Sequence, residues 1–571
     1  MSEAFAAGTL TQLHTNGYLL TKIGQLPVVV FDDGGELFAI EDRCPHMGFP
    51  LHRGTVECGL VTCHWHHARF DLASGGTLDP WADDTRAFDV HVEDGAVFVR
   101  ARPDDERARL EQRLREGLED DLTLVIAKSV LGLVELGVDP LDIVRDAIDF
   151  GTRYRSAGWG AGLTVLVAMT NVLPRLDPAD RPVALVHALR FVANDTSGRA
   201  PRFPVAPLPG HDVPADRLGQ WYRRFIDTRS SDSAERSLRT AIESKADLGA
   251  VEQMMVSAIT DHVFIDEGHT LDFTNKAFEA LALLGDECAA TVLPTLVAGT
   301  AGAQRSEEFS EWQYPHDLVQ LAERTADALE QPASTPGADS FGNVDVAALA
   351  EALLDDDPEH VAAALVSAHD GGASDEQLAH AVAHAAALRI ARFHVQNDHA
   401  DWNTVHHAFT ASNGLHHSAQ RGTSEGTRRA IVQCALRVYL DRFLNIPPAR
   451  PPRPEAGGLD ALAECFEVQG EVDRAANLVA GCIADGVSRD DVIAALGRAL
   501  LNEDPGFHWY QVYEAAVRQS TTWPEGSAEA TIVLCAFARF LAAHTPTRRE
   551  LPKVISIATR LRRGERLFEE E

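Results

Sequence analysis

Two short clusters near the front of the chain decide what its first part can fold into. Cys44-Pro45-His46 is followed, after 16 intervening residues, by Cys63-His64-Trp65-His66. Two thiolates and two imidazoles in the order Cys-X-His…Cys-X2-His suit a [2Fe–2S] cluster with one iron held by sulfur and the other by nitrogen. Each half supplies one cysteine and one histidine, so two adjacent loop tips can clamp the cluster from both sides. Zinc sites usually group cysteine with cysteine and histidine with histidine, and the mixed order argues against one.

The surroundings carry the pattern further. Pro45 follows the first cysteine, Gly48 sits just past the first histidine, and Trp65-His66 leads into Arg69-Phe70-Asp71. Residues 1–104 resemble the Rieske [2Fe–2S] domain of the ferredoxin and oxygenase type. The resemblance implies that Cys44 and Cys63 bind the inner ferric iron, and that His46 and His66 bind the outer iron near the surface, where an electron can leave. It departs from the respiratory type, which has a second cysteine in each ligand loop. Phe49 and Trp65 stand at those positions, so that disulfide is not expected. Ala68 stands where the respiratory type has a hydroxyl that raises the potential, which implies a low-to-middle potential. His67 replaces a glycine common at its place and reads as a solvated neighbour. Cys58 matches no ligand position and reads as a free thiol.

Short β-branched or aromatic runs surround the motif: 18–20, 28–31, 37–40 and 96–99. Asp33-Gly34-Gly35 and Asp94-Gly95 punctuate them as hairpin turns. A small all-β sandwich carrying the ligands at one tip is expected.

After Arg102 the alternation stops, and segments rich in Ala, Leu, Arg and Glu with helical spacing take over, such as 139–148, 346–354 and 490–496. The 571 residues suggest about three or four domain-sized units. Polar linkers at Gln331–Ser340 and Pro447–Pro454 divide the helical part, giving a β domain at 1–104 and two helical halves at 105–330 and 344–571. Internal similarity is visible: Trp159–Leu166, Gly268–Phe273, Asp401–His407 and Phe507–Val512 align as the second helix of successive units. The expectation is a large, all-α, internally repeated body whose equivalent helices face one central groove.

Of 24 histidines, 17 follow residue 104. His269 and His508 open second helices, His406 lies about one turn further in, and His262 and His394 sit on preceding helices. Asp272 is one turn from His269 on the same face. These six residues are the candidate catalytic set, because a histidine-rich cluster with a carboxylate suits a non-haem iron. The other reading makes them capping and packing histidines, with His416-His417 and His380-X3-His384 as surface.

The body lacks the Asp-X2-His-X4-His motif of ring-hydroxylating oxygenases. Gly160-Ala-Gly162 has no third glycine and reads as helix packing. The His-led second helices resemble questin-oxidase-like proteins, which implies a helical enzyme linked to oxidative ring cleavage.

A net charge of −34 excludes nucleic acid and anionic membrane faces as partners. The six non-ligand cysteines are scattered in apolar patterns and favour a reducing cytoplasm. Neither a signal peptide nor a membrane span is expected. The chain therefore reads as a soluble oxidoreductase. A ferredoxin or flavin reductase would supply single electrons through the cluster to a metal or small organic substrate in the helical part, with O2 as oxidant. A homodimer would pass them between subunits. The alternative is a non-catalytic electron carrier or redox sensor whose helical repeats bind a protein partner.

Overall fold

A computed structural model describes residues 4–567 except 103–104, 154–156, 211–212, 333–343 and 566. The domain boundary expected at residue 104 and most of the Gln331–Ser340 linker lie outside the described residues.

The first strands are β1 (Ala4–Thr9), β2 (Tyr18–Ile23), β3 (Leu26–Asp33) and β4 (Glu36–Glu41), with helix α1 (Leu10–Asn16) between β1 and β2. Then follow β5 (Thr55–Glu57), β6 (Leu60–Thr62), β7 (Arg69–Asp71), β8 (Ala87–Glu93) and β9 (Ala96–Ala101). They form an antiparallel six-stranded sheet in the order β1-β9-β8-β4-β3-β2 and a three-stranded sheet β5-β6-β7. Successive residues of β3 point to opposite faces. Val28 and Val30 pack with Leu13, Phe88, Val97 and Val99. Val29 and Phe31 pack with Ile40, Leu51, Phe70, Cys44 and Cys63.

The tight turns follow from residues that accept positive φ. Gly34-Gly35 and Asp94-Gly95 are two-residue loops with both residues left-handed, the type I′ geometry that matches strand twist. Cys58-Gly59 makes the same turn between β5 and β6, with φ 54° and 78°. Cys58 is accordingly an exposed thiol at a hairpin tip.

The chain divides into two compact units, residues 1–140 with 550–571, and residues 141–549. In the first, α2 (Glu106–Glu119) and α3 (Thr123–Glu135) pack together, and the Glu550–Arg562 helix packs on α3.

The second unit is helical. The four second helices aligned from the sequence correspond to Ala161–Val172, His269–Leu284, Trp402–Arg421 and Phe507–Thr521. Each packs against the next, and the last against the first, so they close a ring. Close approach of the Arg181–Thr196 helix explains Gly162, where a Cβ would stand 2.6 Å from the Phe191 carbonyl oxygen. Among the described residues no helix is long and apolar enough to cross a membrane.

Candidate functional site

Cys44 and Cys63 open two turns built on one plan. The Cys44 amide donates to Phe49 O at 2.7 Å, and the Gly48 amide donates back to Cys44 O at 2.7 Å. In the second turn the Cys63 amide donates to Ala68 O at 2.8 Å, and the His67 amide to Cys63 O at 2.9 Å. Gly48 and His67 occupy the same left-handed position, with φ 83° and 64°. That backbone requirement is why a glycine suits the place that His67 fills.

Both cysteines are buried and their sulfurs are hydrogen-bonded to one another. The bond from Cys44 pulls Cys63 down to about 6, helped by the backbone amides of Trp65 and His66. The same bond, with burial, holds the Cys44 thiol well above its ordinary value. The His46 and His66 rings meet edge to face, 4.9 Å between centroids. Nδ1 of His46 is buried without a hydrogen-bond partner. Burial first, then His66 and Lys128, lower His46 to about 4, so its ring is neutral at pH 7. Two facing sulfurs beside two imidazoles, one with a bare nitrogen, fit a [2Fe–2S] cluster held by all four residues. Phe49 and Trp65, at the positions of the respiratory-type cysteines, have rings 6.3 Å apart.

A second gathering of imidazoles lies in the helical ring. One ring nitrogen from each of His269, His407 and His508 lies within 4.8 Å of the other two. His407 donates from Nδ1 to Glu267 at 2.9 Å. His508 donates from Nδ1 to Gln511 Oε1 at 3.3 Å, and Gln511 Nε2 in turn donates to the buried Asp272. The His406 ring centroid lies 4.0 Å from that of His508 with the planes tilted by 41°, and its Nδ1 is on the Trp402 carbonyl at 2.9 Å. The Nε2 atoms of His406 and His407 are buried and unpartnered. Anchoring Nδ1 fixes the tautomer and leaves Nε2 as the ligand atom.

Burial, then neighbouring imidazoles, lower His269 to about 3 and His508 to about 4; His406 falls well below its ordinary value for the same reasons. The hydrogen bond from His407 holds Glu267 down to about 2. Three converging imidazoles, with Nδ1 anchored on His407 and His508, fit a divalent transition metal, iron among them.

The segment leading into His269 is strained. Phe264, Asp266 and Glu267 have φ of 39°, 52° and 52°, ahead of Gly268 at 90°. Each left-handed non-glycine residue costs about 1–2 kcal/mol. Anchors hold them: Phe264 donates to Gln433 Oε1 at 3.2 Å, and Asp266 to Gln304 O at 2.7 Å. A Cβ on Gly268 would meet Ala411 at 2.6 Å, so this position excludes other residues. Strain of this kind concentrates where a side chain must be aimed.

Of the six candidates from the sequence, His269, His406, His508 and Asp272 are gathered here. His262 and His394 are not. His262 Nδ1 bonds Glu307 at 2.8 Å, and His394 accepts from the Gln396 amide at 3.2 Å in a turn. His407 and Glu267 were not in the expected set. Their signal was the doubled histidine at 406–407 and the acidic residue two places before His269.

Two histidine pairs read as surface lie inside. His384, His416 and His417 are 3%, 2% and 6% exposed, and His380 stacks on His416 at 4.6 Å. The helices that carry them are buried almost all round, which hydrophobic patterning with so many histidines does not reveal. Between the two histidine groups runs a buried ionic network. Lys276 Nζ bonds Glu514 at 2.8 Å and Glu279 at 2.9 Å, while Arg518 contacts both carboxylates. Asn171, from the Ala161–Val172 helix, donates to both.

Comparison with known proteins concerns the N-terminal part. The Rieske [2Fe-2S] domain family matches residues 4–88. The anthranilate 1,2-dioxygenase ferredoxin subunit of Burkholderia cepacia is 38% identical over 77 residues, 13% of this chain and 71% of that protein. The 3-phenylpropionate/cinnamic acid dioxygenase ferredoxin subunit of Escherichia coli (strain K12) is 38% identical over 81 residues, 14% of this chain and 76% of its own. Human apoptosis-inducing factor 3 is 38% identical over 81 residues, but the match spans only 13% of that protein's length and 14% of this chain. No family matches the helical remainder. With both ligand turns in place and whole ferredoxin subunits largely covered at this identity, the chain belongs, through its N-terminal part, to the Rieske [2Fe-2S] domain family.

Proposed function

We propose that this protein is a soluble oxidoreductase in which the Rieske centre feeds single electrons to a metal held by His269, His407 and His508, for O2-dependent oxidation of a small organic substrate. The observation that carries this reading is the convergence of three imidazoles inside a closed ring of helices. Insertion of one oxygen atom consumes O2, two electrons and two protons and releases water, so each turnover draws twice on a one-electron centre. The electron source is a ferredoxin or flavin reductase, by analogy with the dioxygenase ferredoxin subunits it resembles. A metal at the triad would supply the site where O2 is bound and reduced. The chain's own residues do the rest: Glu267 and Gln511 hold His407 and His508 each in one tautomer, and the aromatic rings of Phe273 and Phe507 pack on His269. A homodimer and a reducing cytoplasm complete the proposal, the latter supported by buried single cysteines such as Cys434 and Cys535.

The test is metal analysis with EPR on anaerobically purified full-length protein. A third metal per chain, lost in His407→Ala and kept in Cys63→Ser, is the expected result. Two irons and nothing more would turn the choice to the second reading, an electron carrier whose helices bind a protein partner. Exposed Tyr314 and Phe443, which line one pocket, would then be its docking residues.

A further inference from the structure

The first ligand turn is gripped by a residue outside the family match. Lys128, on α3, is 7% exposed, and its ammonium donates to the Pro45 carbonyl at 3.0 Å. That carbonyl belongs to the peptide bond that joins Pro45 to His46. Lys128 also pairs with Asp83, on the loop before β8. Arg113, from α2, is 5% exposed and reaches the same carboxylate at 3.2 Å. It fastens that loop further by donating to Pro80 O at 3.0 Å and Ala82 O at 2.8 Å. Glu116 pairs with Arg113 and is 35% exposed on its side chain. Of these four charges, only the Lys128 ammonium is hydrogen-bonded to a ligand turn.

We propose that Lys128 is a positioning residue that sets the reduction potential of the Rieske centre. Reduction adds one electron and no other atom to the cluster, so the centre becomes more negative by one charge. A buried cation fixed against the ligand loop favours that state, and at low local dielectric its effect is little screened. Asp83 opposes it and tempers the effect. Lys128 and Arg113 both fall after residue 88, so the helices of this chain add the device to the matched segment. The inference rests on the cluster alone and is independent of any metal in the helical ring.

The experiment is an EPR-monitored redox titration of full-length protein, with iron counted first in every variant. Lys128→Met is expected to lower the ratio of reduced to oxidised centre at least tenfold at a fixed ambient potential, which is 59 mV for a one-electron couple. Lys128→Arg, which keeps the charge, restores most of that ratio. Asp83→Asn moves it the other way. A simple loosening of the loop would shift Lys128→Met and Asp83→Asn in the same direction, and that result overturns the proposal. So does a Lys128→Met titration within twofold of wild type. Should Lys128→Met fail to retain iron, Asp83→Asn decides, and an unchanged or lowered ratio there overturns it.

Discussion

His407 gives its Nδ1 proton to Glu267 across 2.9 Å, and this bond leaves a buried Nε2 with no hydrogen-bond partner. The carboxylate is carried by a left-handed residue at φ 52°, so the backbone bears a cost to put it there. An acceptor behind an imidazole orients the ring and strengthens it as a ligand. Glu267→Gln should therefore weaken metal binding at the triad by roughly 10–100-fold, while His407→Ala removes it. Chelator competition on the full-length protein measures both, and equal affinity in Glu267→Gln and wild type would refute the role given to the carboxylate.

Asp272 carries a pH signature. Burial pushes its carboxyl up to about 7 from an ordinary 3.8. Between those values the folded chain keeps a proton that the unfolded chain has released, so stability falls as pH rises. The contribution of the neutral acid is full below pH 3.8 and is lost as pH climbs through 7. Asp272→Asn is neutral throughout and should lose less stability than wild type between pH 5 and pH 8. Thermal melts at the two pH values give the answer, and a constant gap between the proteins would contradict it.

The buried histidines act in the opposite sense. His269 and His508 titrate near 3 and 4 when folded, against an ordinary 6.5. The unfolded chain takes up protons first as pH falls, so their contribution is present above 6.5 and is lost on going down to about 4 for His508 and about 3 for His269. For the same reason protons compete poorly for these rings in the folded protein. Protonation of His269 and His508 is therefore not expected to weaken metal binding between pH 8 and pH 5. Ring signals of His269 or His508 that titrate near 6.5 in an NMR pH series of the metal-free protein would show that these two rings are not shielded.

Lys276 lies among Glu279, Glu514 and Asp272, all buried. Removing one side of a buried ion network leaves charge without compensation, at about 3–5 kcal/mol. Lys276→Met should lower the urea midpoint accordingly, and a change below about 1 kcal/mol would mean that the carboxylates find protons or water instead.

His67→Gly is expected to stabilise the N-terminal unit. The left-handed backbone costs a histidine about 1–2 kcal/mol, and the extra freedom of glycine when unfolded returns about 0.5–1. A net gain of about 0.5–1 kcal/mol should appear in melting with an unchanged EPR spectrum. Loss of stability would mean that the exposed ring holds the turn together.

The Cys44, His46, Cys63 and His66 set was legible because short spacing writes it into the sequence, and the strands around it because alternation and Gly-rich turns leave few other folds. The equivalence of four helices was legible from the alignment of Trp159, His269, Trp402 and His508, but their closure into a ring was not, because a repeat fixes which helices correspond and not how they pack. Nor could the repeat resolve rotation. His406 and His407 are adjacent and point about 100° apart on a helix, and only the packed structure shows that His407, rather than His406, joins His269 and His508. His262 and His394 stand at helix ends, where turn contacts through Glu307 and Gln396 claim them. Lys128 gave no signal, because its partner carbonyl is 83 positions away.

The Glu550–Arg562 helix returns to pack on α3, where Arg562 grips Glu135 at 2.7 Å, and α3 also carries Lys128. The last helix of the chain is thereby a buttress for its first cofactor loop. Shortening the polypeptide before Glu550, or fusing a bulky partner to that helix, would disturb the electron-transfer centre more than the neighbouring stretch of sequence. Excising the N-terminal module at residue 102 would produce a different electrode from the one the whole chain contains.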